Sequence, residues 1–429
     1  IDLLDAMCGR FPRRPTGSAA ERDCLAFLTG VLADAGVAEV TTDAVPCIGT
    51  DYQSCELRAG NATGELIESQ PVLFTGQTPA TGITGPLVYV DDIEQLDFTR
   101  ADLPGCILLV YDNFGEYGTT RHYRAVCEAN IAGVVIVRNM EFATLMALPT
   151  AAAVVGDVPV VSISHRDGMT LRGSGCTQAH LRVQRSIEDV TGRNLVARLP
   201  ATGQPIDEQA ILISAHHDTN PLAPNAADNT VGVAMAVEVM RTLARTSQRG
   251  RDVYLVSYTA EEFAFEGSLR FAHDRRDVVA RCAAQFYYDG HGTAVGRNEL
   301  FVNGDESLVE FLQQVAREIH HPMETHRTQI TLDPIVLMAH GVPAVRLGRR
   351  PQRTWHTRYD HPHDIAPQAT RAGIHLYAEA IDRAIRAAKL PFQRVLDASF
   401  QQAGQRRCAV WTPRSLHELR AGVAGGLAP

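Results

Sequence analysis

Three mainly apolar segments in the second half of the chain end in charged residues. The segments are 211–215, 253–258 and 286–288, and the charged residues that follow them are 216–218, 261–262 and Asp289. Runs of this length and composition predict buried parallel strands. Ligands of open α/β sheets bind at the carboxyl ends of such strands. The pattern therefore predicts a functional site at this edge of a sheet.

An acid and an amide precede the most apolar helical segment. Asp228 and Asn229 lead into residues 230–240, whose length and apolar positions predict a buried helix with polar side chains at its start. We therefore expect Asp228 to face the same crevice as His216. The two adjacent glutamates after the second strand point in different directions, so one can bind a metal ion while the other handles a proton.

The rest of the chain divides at two shifts in composition. Residues 19–35 are helix-like, whereas residues 58–183 change to short strands and Gly-rich turns. Within that region the predicted strands are 85–90, 105–110, 132–137 and 158–163, with a helix starting near 166–168. We predict a discontinuous main domain of residues 1–57 and 184–390, a β-rich insert of residues 58–183 and a C-terminal extension of residues 391–429. A generic α/β lobe is the alternative for the insert.

Composition is that of an ordinary globular protein and narrows the range of partners. The 429 residues are 45% hydrophobic and 21% charged, which suits one large domain with an insert. The net charge of -9 argues against nucleic acid as the main partner. No run approaches the roughly 18 apolar residues of a membrane span. The oligomeric state is left open by the sequence.

Cysteine usage gives the expectation for localisation. The nine cysteines are dispersed and odd in number, which favours reduced thiols in a cytoplasmic protein. No charged-then-apolar signal sequence follows Ile1. Secretion is the alternative if an upstream segment was removed, and Cys47 could then form a disulfide with Cys55.

Several of the charged residues are of the types that zinc prefers as ligands. Zinc accepts histidine nitrogen and carboxylate oxygen, and two metal ions about 3.5–4 Å apart commonly share a bridging carboxylate and a water. The Trp-His-Thr segment at 355–357 adds a second histidine in a loop rich in His and Asp. The expected metal ligands are His216, Asp228, Glu262, Asp289 and His356.

Each metal ion is expected to take one histidine, one terminal carboxylate and one oxygen of the bridge. The partition is His216 with Asp289 on one ion, His356 with Glu262 on the other, and Asp228 as the bridge. Glu261 is left outside this set and can accept the proton of the bridging water. Asp218 is better placed to hold the imidazole of His216 or the nearby loop than to bind metal.

Four motifs occur in the order found in a known family. They are Ala-His-His-Asp-Thr at 215–219, Ala-Asp-Asn at 227–229 followed by Gly232, the glutamate pair at 261–262 followed by Gly267-Ser268, and Trp-His-Thr at 355–357 with Asp364 downstream. With these motifs the chain resembles the dinuclear zinc aminopeptidases. That family includes bacterial leucyl aminopeptidases, aminopeptidase Y, glutamate carboxypeptidase II and, more distantly, glutaminyl cyclase.

The resemblance implies an α/β fold, in which a mixed and mostly parallel sheet lies between helical layers as a three-layer sandwich. It also implies two Zn²⁺ per chain and a cis peptide bond between the bridging Asp228 and Asn229. The insert is similar to a protease-associated domain. Leu332-Asp333 resembles a Ser-Asp segment of the family, with Leu332 as the departure.

The implied activity is hydrolysis of an amide bond in a peptide or small amide by a zinc metallopeptidase, most directly an aminopeptidase. A carboxypeptidase, a dipeptidase or an N-acyl amino acid amidohydrolase is the alternative, because nearby arginines could hold a terminal carboxylate. These arginines are Arg346, Arg349, Arg350 and Arg353. A non-catalytic binding protein on a peptidase fold is disfavoured by the intact ligand set. We expect His217 to be a bystander at the site rim. His361 and His363 are expected to be solvated loop residues, with a place at the substrate entrance as the alternative.

Overall fold

The computed structural model describes residues 1–111, 114, 120–221, 223–246, 248–263, 265–410 and 415–424. These residues form two compact units. Apart from the gaps just given, the first unit contains residues 1–47, 191–355 and 360–413, and the second contains residues 48–190, 356–359 and 414–429.

The described residues form twelve α-helices and fifteen strands. The helices are α1 (Asp2–Arg10), α2 (Ala19–Asp34), α3 (Arg121–Glu128), α4 (His165–Gly173), α5 (Val231–Ala244), α6 (Glu266–Asp274), α7 (Arg276–Arg281), α8 (Glu306–Glu318), α9 (Pro334–Ala339), α10 (Pro367–Arg386), α11 (Ala398–Val410) and α12 (Leu416–Ala424). The strands are β1 (Glu39–Ala59), β2 (Leu66–Ile67), β3 (Gln70–Leu73), β4 (Ile83–Val90), β5 (Ile107–Tyr111), β6 (Gly133–Val137), β7 (Met146–Ala147), β8 (Val160–Ile163), β9 (Gln178–Leu199), β10 (Ala210–His216), β11 (Asp252–Tyr258), β12 (Cys282–Tyr288), β13 (Arg297–Asn303), β14 (Glu324–His326) and β15 (Ala344–Arg350).

The sheet of the first unit has the strand order β14-β13-β15-β12-β10-β11-β9. At its centre β10 pairs in parallel with both β11 and β12, and β12 pairs in parallel with β15. Towards the edges β13 is antiparallel to β15, and β9 is antiparallel to β11. The sheet is therefore mixed and mostly parallel, as the fold prediction requires.

Alternate side chains of the central strands pack into two apolar cores. Ile211 and Ile213 face a core shared with α1, α2, α5, α8 and α10, whereas Leu212 faces a core shared with α6, α7 and α9. Successive side chains of a strand point to opposite faces. A strand buried on both faces is therefore mainly apolar, which explains the three segments. The buried polar side chains in these strands are hydrogen-bonded, as Gln285 is to Ser214. This helix–sheet–helix layering confirms the predicted fold class.

The elements predicted around the charged residues are present. The segments 211–215, 253–258 and 286–288 lie in β10, β11 and β12, and the helices predicted at 19–35 and 230–240 are α2 and α5. The strands begin one to four residues earlier than the apolar runs do, at Ala210, Asp252 and Cys282. His216 is itself the last residue of β10, so its direction is fixed by the sheet.

The sheet of the second unit has the strand order β9-β4-β5-β6-β8-β3-β7. Its centre is parallel from β4 through β5 and β6 to β8, and these are the four strands predicted in the insert. β3 is antiparallel to β8 and parallel to β7. The helix predicted near 166–168 is α4. The identity of this unit as a protease-associated domain stays a prediction.

Two long strands contain residues of both units. β1 continues through the boundary between residues 47 and 48, and β9 continues through the boundary between residues 190 and 191. The sequence places these boundaries at 57/58 and 183/184, where the composition changes. The composition of β1 and β9 does not change where these strands cross from one unit to the other. Composition therefore cannot locate the boundaries between the units. Residues 391–410 of the predicted extension belong to the first unit, where α11 packs against α9.

The nine cysteines are free thiols, Cys47 and Cys55 included. Burial raises the pKa of the Cys8 and Cys24 thiols to about 11. These two cysteines therefore act as neutral, apolar side chains of the core. Within the described residues, no helix combines the length and the apolar character that crossing a bilayer requires.

Glu266 is a buried carboxyl group at the start of α6. It is 5% exposed, and burial raises the pKa of its carboxyl from 4.5 to about 8. The unfolded chain ionises this group near its ordinary pKa, so the folded state loses stability as the pH rises from about 4.5 to about 8. Glu266→Gln removes the titration and keeps the side-chain size. We expect the variant to gain several degrees in melting temperature at about pH 8.5, and much less at about pH 5.

Thermal melts of the wild type and the variant at both pH values test this expectation. The control is Glu310→Gln on the exposed side of α8, which should change the melting temperature equally at the two pH values. If Glu266→Gln changed the melting temperature by the same amount at both, ionisation of the buried carboxyl would not be the cause.

Candidate metal centre

Three neighbouring strand ends bring the candidate ligands together. β10 lies between β11 and β12, and all three run in parallel, so their carboxyl ends reach one edge of the sheet. His216 ends β10, and Asp289 follows β12 directly. Glu261 and Glu262 follow β11 after a short turn. The strand-end pattern in the sequence thus corresponds to a real cluster of side chains.

His216, Glu261 and Asp289 form a group that could hold a metal ion. Each offers one ligand atom, these atoms lie within 4.8 Å of one another, and all three residues are buried. His216 Nε2 is 4.0 Å from Glu261 Oε2 and 4.0 Å from Asp289 Oδ2. Asp228 Oδ1 is nearer to the same nitrogen, at 3.1 Å. One histidine nitrogen therefore faces three carboxylates, a donor set that suits a divalent cation.

Asp228 lies beside a further carboxylate as well. Asp228 and Glu262 offer oxygens within 4.8 Å of each other. Asp228 occupies an irregular turn, Ala226–Thr230, just before α5, and it is 4% exposed. Its peptide bond to Asn229 is cis, as the resemblance implied. Asp228 is thus adjacent both to His216 and to Glu262, which is where a bridging carboxylate would lie.

Asp360 positions Asp228 and was not singled out from the sequence. Its Oδ1 accepts the N–H of Ala227 at 2.8 Å, and its Oδ2 accepts the N–H of Asp228 at 3.1 Å. Asp360 is 1% exposed. These two hydrogen bonds fix the backbone that presents the Asp228 carboxylate. Local sequence could not reveal the contact, because the partners are 133 and 132 residues away.

Asp218 holds the backbone of both glutamates. Its Oδ1 accepts the N–H of Glu261 and its Oδ2 accepts the N–H of Glu262, each at 3.2 Å. His216 Nδ1 lies 3.2 Å from the Asp218 backbone carbonyl. Donation of the Nδ1 proton to that carbonyl leaves the Nε2 lone pair facing the carboxylates. This geometry fits the supporting role predicted for Asp218.

His356 belongs to the second unit, where it pairs with Leu145. Its ring Nδ1 is 3.0 Å from the Leu145 carbonyl, and its own carbonyl accepts the Leu145 N–H at 2.7 Å. A ring that donates through Nδ1 keeps its lone pair on Nε2, the nitrogen that can bind metal. The role of His356 as a ligand stays a prediction.

The prediction that His217 is a bystander at the site rim is wrong. Its side chain is 0% exposed, with Nδ1 3.0 Å from Ser257 Oγ and Nε2 3.3 Å from Glu21 Oε1. Neighbouring residues at a strand end point to opposite sides, so His217 faces the interior next to α2. His361 and His363 stack with ring centroids 5.4 Å apart. The His363 side chain is 75% exposed, as expected of a solvated loop residue.

The buried carboxylates raise one another's pKa. Burial raises the pKa of Glu261 well above its usual range, although His216 opposes the shift. Burial, followed by the charge of Asp228, raises the pKa of Asp289. Burial alone would lower the pKa of His216, but Glu261 and the other carboxylates around it outweigh burial and raise it. A divalent cation would restore ionised carboxylates and a neutral histidine, so these residues fit a metal ion.

Asp333 extends the network behind Asp289. Tyr287 Oη is 3.2 Å from Asp289 Oδ2 and 3.1 Å from Asp333 Oδ2. The phenol has a single proton, so one carboxyl group must supply the second. Burial raises the pKa of Asp333 to about 7, and it raises the pKa of Asp289 as well, so either carboxyl group can carry that proton. Leu332, the departure from the family pattern, is half-buried and packs against two apolar clusters.

Two of the arginines proposed as a carboxylate clamp donate hydrogen bonds to backbone carbonyls. Arg346 Nη2 donates to the Asp289 carbonyl at 3.2 Å. Arg349 donates to the Thr293 carbonyl at 2.5 Å and to Asn298 Oδ1 at 2.8 Å. Arg349 therefore supports the loop after β12, and a clamp made of all four arginines is not supported.

A third group of possible ligands lies on β13 and β14. Glu299, Glu324 and His326 offer atoms within 4.8 Å of one another. Arg297 contacts both glutamates, with Nε 3.2 Å from Glu299 and Nη2 2.8 Å from Glu324. Arg350 adds a second cation 3.7 Å from Glu299. Two guanidinium groups balance the two carboxylates, so the group is an ion-pair network.

Gly232, in the first turn of α5, makes room for Asn229. A Cβ at this position would lie 2.0 Å from Asn229 Oδ1. Asn229 is 0% exposed and its Nδ2 donates to the Tyr288 carbonyl at 2.8 Å, so it has no space into which to rotate. We expect Gly232→Ala to displace the backbone next to Asp228 and to weaken metal binding about tenfold or more.

Competition with a chelator measures this loss of affinity. Gly9→Ala in α1 is the control, since a Cβ there meets nothing within 4 Å, and it should bind metal as the wild type does. Wild-type affinity in Gly232→Ala would show that the close approach at residue 232 does not set the position of Asp228.

Comparison with known proteins covers the same part of the chain. Residues 194–381 match the model of peptidase family M28, and all candidate ligands lie in this range. Aminopeptidase YwaD of Bacillus subtilis is 28% identical over 60% of this chain and 55% of its own length. The probable lipoprotein aminopeptidase LpqL of Mycobacterium tuberculosis is 27% identical over 57% and 49%. Carboxypeptidase Q of Bos taurus is 25% identical over 45% and 44%. The chain thus spans about half the length of these relatives.

Solved structures extend the likeness to most of the fold. A peptidase M28 precursor from Shewanella amazonensis superposes with a TM-score of 0.78 at 17% identity, covering 92% of this chain and 94% of its own. The zinc aminopeptidase BSAP from Bacillus subtilis gives a TM-score of 0.72 at 18% identity, covering 92% and 97%. At such identities the likeness establishes the fold. The match to the family model shows that residues 194–381, which contain all candidate ligands, form a segment of the peptidase family M28 type.

Proposed function

We propose that this chain is a two-zinc metallopeptidase that hydrolyses amide bonds, and that it acts as an aminopeptidase on peptides. The observation that carries the proposal is the buried group of His216, Glu261 and Asp289, with Asp228 only 3.1 Å from the same histidine nitrogen. Several buried carboxylates around one histidine destabilise a fold unless a cation compensates them. The group is therefore best explained by metal binding.

The proposed ligands keep the partition expected from the sequence. They are His216 and Asp289 on one zinc ion, Glu262 and His356 on the other, and Asp228 as the bridge. In His216 and His356 alike, ring Nδ1 lies against a backbone carbonyl, which leaves Nε2 for the metal. Asp218 and Asp360 support this set by holding the backbone of the ligand-bearing loops.

Glu261 is the proposed general base. Bound zinc would lower the pKa of a water and polarise the scissile carbonyl. Glu261 would accept the proton of that water and donate it to the departing amine. Its Oε2 lies 4.0 Å from His216 Nε2, so the carboxylate reaches the centre, while Asp218 fixes its backbone N–H.

The relatives and the arginine contacts indicate which end of the peptide is cleaved. Two of the relatives are named as aminopeptidases, whereas another is carboxypeptidase Q. A carboxypeptidase holds the terminal carboxylate of its substrate with Arg or Lys. Arg349 donates its hydrogen bonds to Thr293 and Asn298, so it is not available to hold a substrate carboxylate. This favours the aminopeptidase. Carboxypeptidase or dipeptidase activity is the second candidate, on the strength of the carboxypeptidase Q match.

Two substitutions separate the base from the ligands. Glu261→Gln should keep about two zinc ions per chain but lower kcat at least about a hundredfold, because the amide cannot accept the proton. Asp228→Ala should lose both zinc and turnover, because a bridging ligand is removed. Metal analysis and kcat for each variant test the two roles. Wild-type turnover in Glu261→Gln would exclude Glu261 as the base.

A substrate panel tests the direction of hydrolysis. We expect cleavage of aminoacyl anilides and of peptides with a free amino terminus, and no cleavage after N-acetylation. A chelator should abolish the activity, and added zinc should restore it. Cleavage of N-acetylated peptides from the carboxyl end would favour the second candidate. A purified chain that binds no zinc and cleaves none of these substrates would refute the two-zinc peptidase.

A further inference from the structure

Arg14, between α1 and α2, is a fully buried cation that contacts two ligand-bearing loops. Its side chain is 0% exposed. Nε donates to the His217 carbonyl at 2.9 Å, and Nη2 donates to Thr230 Oγ1 at 2.6 Å. The backbone N–H of Arg14 donates to Thr219 Oγ1 at 2.8 Å. One guanidinium fork thus joins the loop after β10 to the turn that contains Asp228.

Thr16 reaches the third ligand-bearing loop. Its hydroxyl oxygen accepts the N–H of Ala260 at 3.1 Å, and the hydroxyl lies 3.5 Å from Asp218 Oδ2. Ala260 directly precedes Glu261 and has a φ of +54°, a left-handed conformation that an alanine rarely adopts. A strained backbone of this kind persists only where its surroundings hold it. The Thr16 hydroxyl is one of the groups that hold it.

Glu21, in the first turn of α2, completes the set of contacts. It is 0% exposed. Its Oε1 is 3.3 Å from His217 Nε2 and accepts a hydrogen bond from the Thr259 hydroxyl. Its Oε2 accepts the N–H of Gly17 at 2.7 Å, which ties the carboxylate back to its own segment.

We propose that the segment 14–21 is a positioning element of the two-metal centre, with Arg14, Thr16 and Glu21 as its positioning residues. The inference rests on the proposed function. None of the hydrogen bonds described for these side chains ends on a proposed ligand atom. Apart from the bond between Glu21 and Gly17, they end on residues that flank the ligands: 217 and 218 beside His216, residue 230 beside Asp228, and 259–260 beside Glu261 and Glu262. Metal ligands must be held to within about 0.5 Å, and supporting residues provide that precision.

A simpler role in packing α2 would predict a different outcome. Packing contributes to stability whether or not metal is bound, whereas positioning acts on metal affinity and on kcat. The two are separated by removing one hydroxyl group and measuring the metal-free melting temperature, the zinc affinity and kcat of the full chain.

Thr16→Val is the decisive variant, because it keeps the shape of the side chain and deletes its hydrogen bonds. We expect zinc affinity and kcat to fall about 10- to 100-fold, the range seen when groups that orient metal ligands are removed. Thr16→Ser restores the hydroxyl and should recover both values. The matched control is Thr29→Val, which deletes a hydroxyl bonded to the Leu25 carbonyl within α2, and its affinity and kcat should be unchanged.

A second variant tests the charged partner. Arg14→Lys keeps the positive charge but replaces a planar fork with a point donor that cannot bridge two loops. We expect it to lower zinc affinity about tenfold or more. The melting temperature of the metal-free protein should stay close to that of the wild type.

Zinc affinity is measured by competition with a chelator and does not depend on turnover. If Thr16→Val and Arg14→Lys both bind zinc and turn over as the wild type does, the positioning role is refuted while the proposed function stands. If they lose only metal-free stability, the segment has a packing role alone. A wild-type chain that binds no zinc refutes the proposed function and this inference with it.

Discussion

Repulsion between buried carboxylates is the constraint on which the first unit depends. The sheet brings Glu261 and Asp289 to one histidine, and the turn before α5 adds Asp228, all away from water. Such charges are tolerated in a protein interior only when they are paired, protonated or bound to a cation. Hydrogen bonds to backbone N–H groups relieve part of the cost at Asp218 and Asp360. The remainder of the cost is what makes the centre bind metal, so the stability of the fold and its chemistry are linked.

Most of the core architecture could be predicted, because it follows from burial on both faces of the sheet. β10, β11 and β12 are mainly apolar, and the residues that end them must reach the same edge. The same rule placed His216 and Asp289 in one site. The unit boundaries could not be predicted, since β1 and β9 continue through them with no change of composition.

The supporting residues could not be predicted for a different reason. Asp360 and Glu21 look like ordinary surface acids in the sequence, and their partners are far along the chain. His217 was expected at the site rim because it follows His216 directly. Successive side chains at a strand end point to opposite sides, so His217 faces the interior instead. Sequence patterns report periodicity and local spacing, so they identify the residues of strands and miss the contacts between distant segments.

The hydrogen bond between Thr16 and Ala260 joins residues 244 positions apart. During synthesis the amino-terminal segment is therefore made long before most of its partners exist. Arg14 lacks its partners until residue 230 has left the ribosome, and Thr16 and Glu21 lack theirs until residues 259–260 have done so. Contacts of such separation are slow to form, because a long chain must be closed first. The metal centre should therefore be among the last parts of this unit to become ordered. Metal binding would then occur only once the rest of the unit has folded.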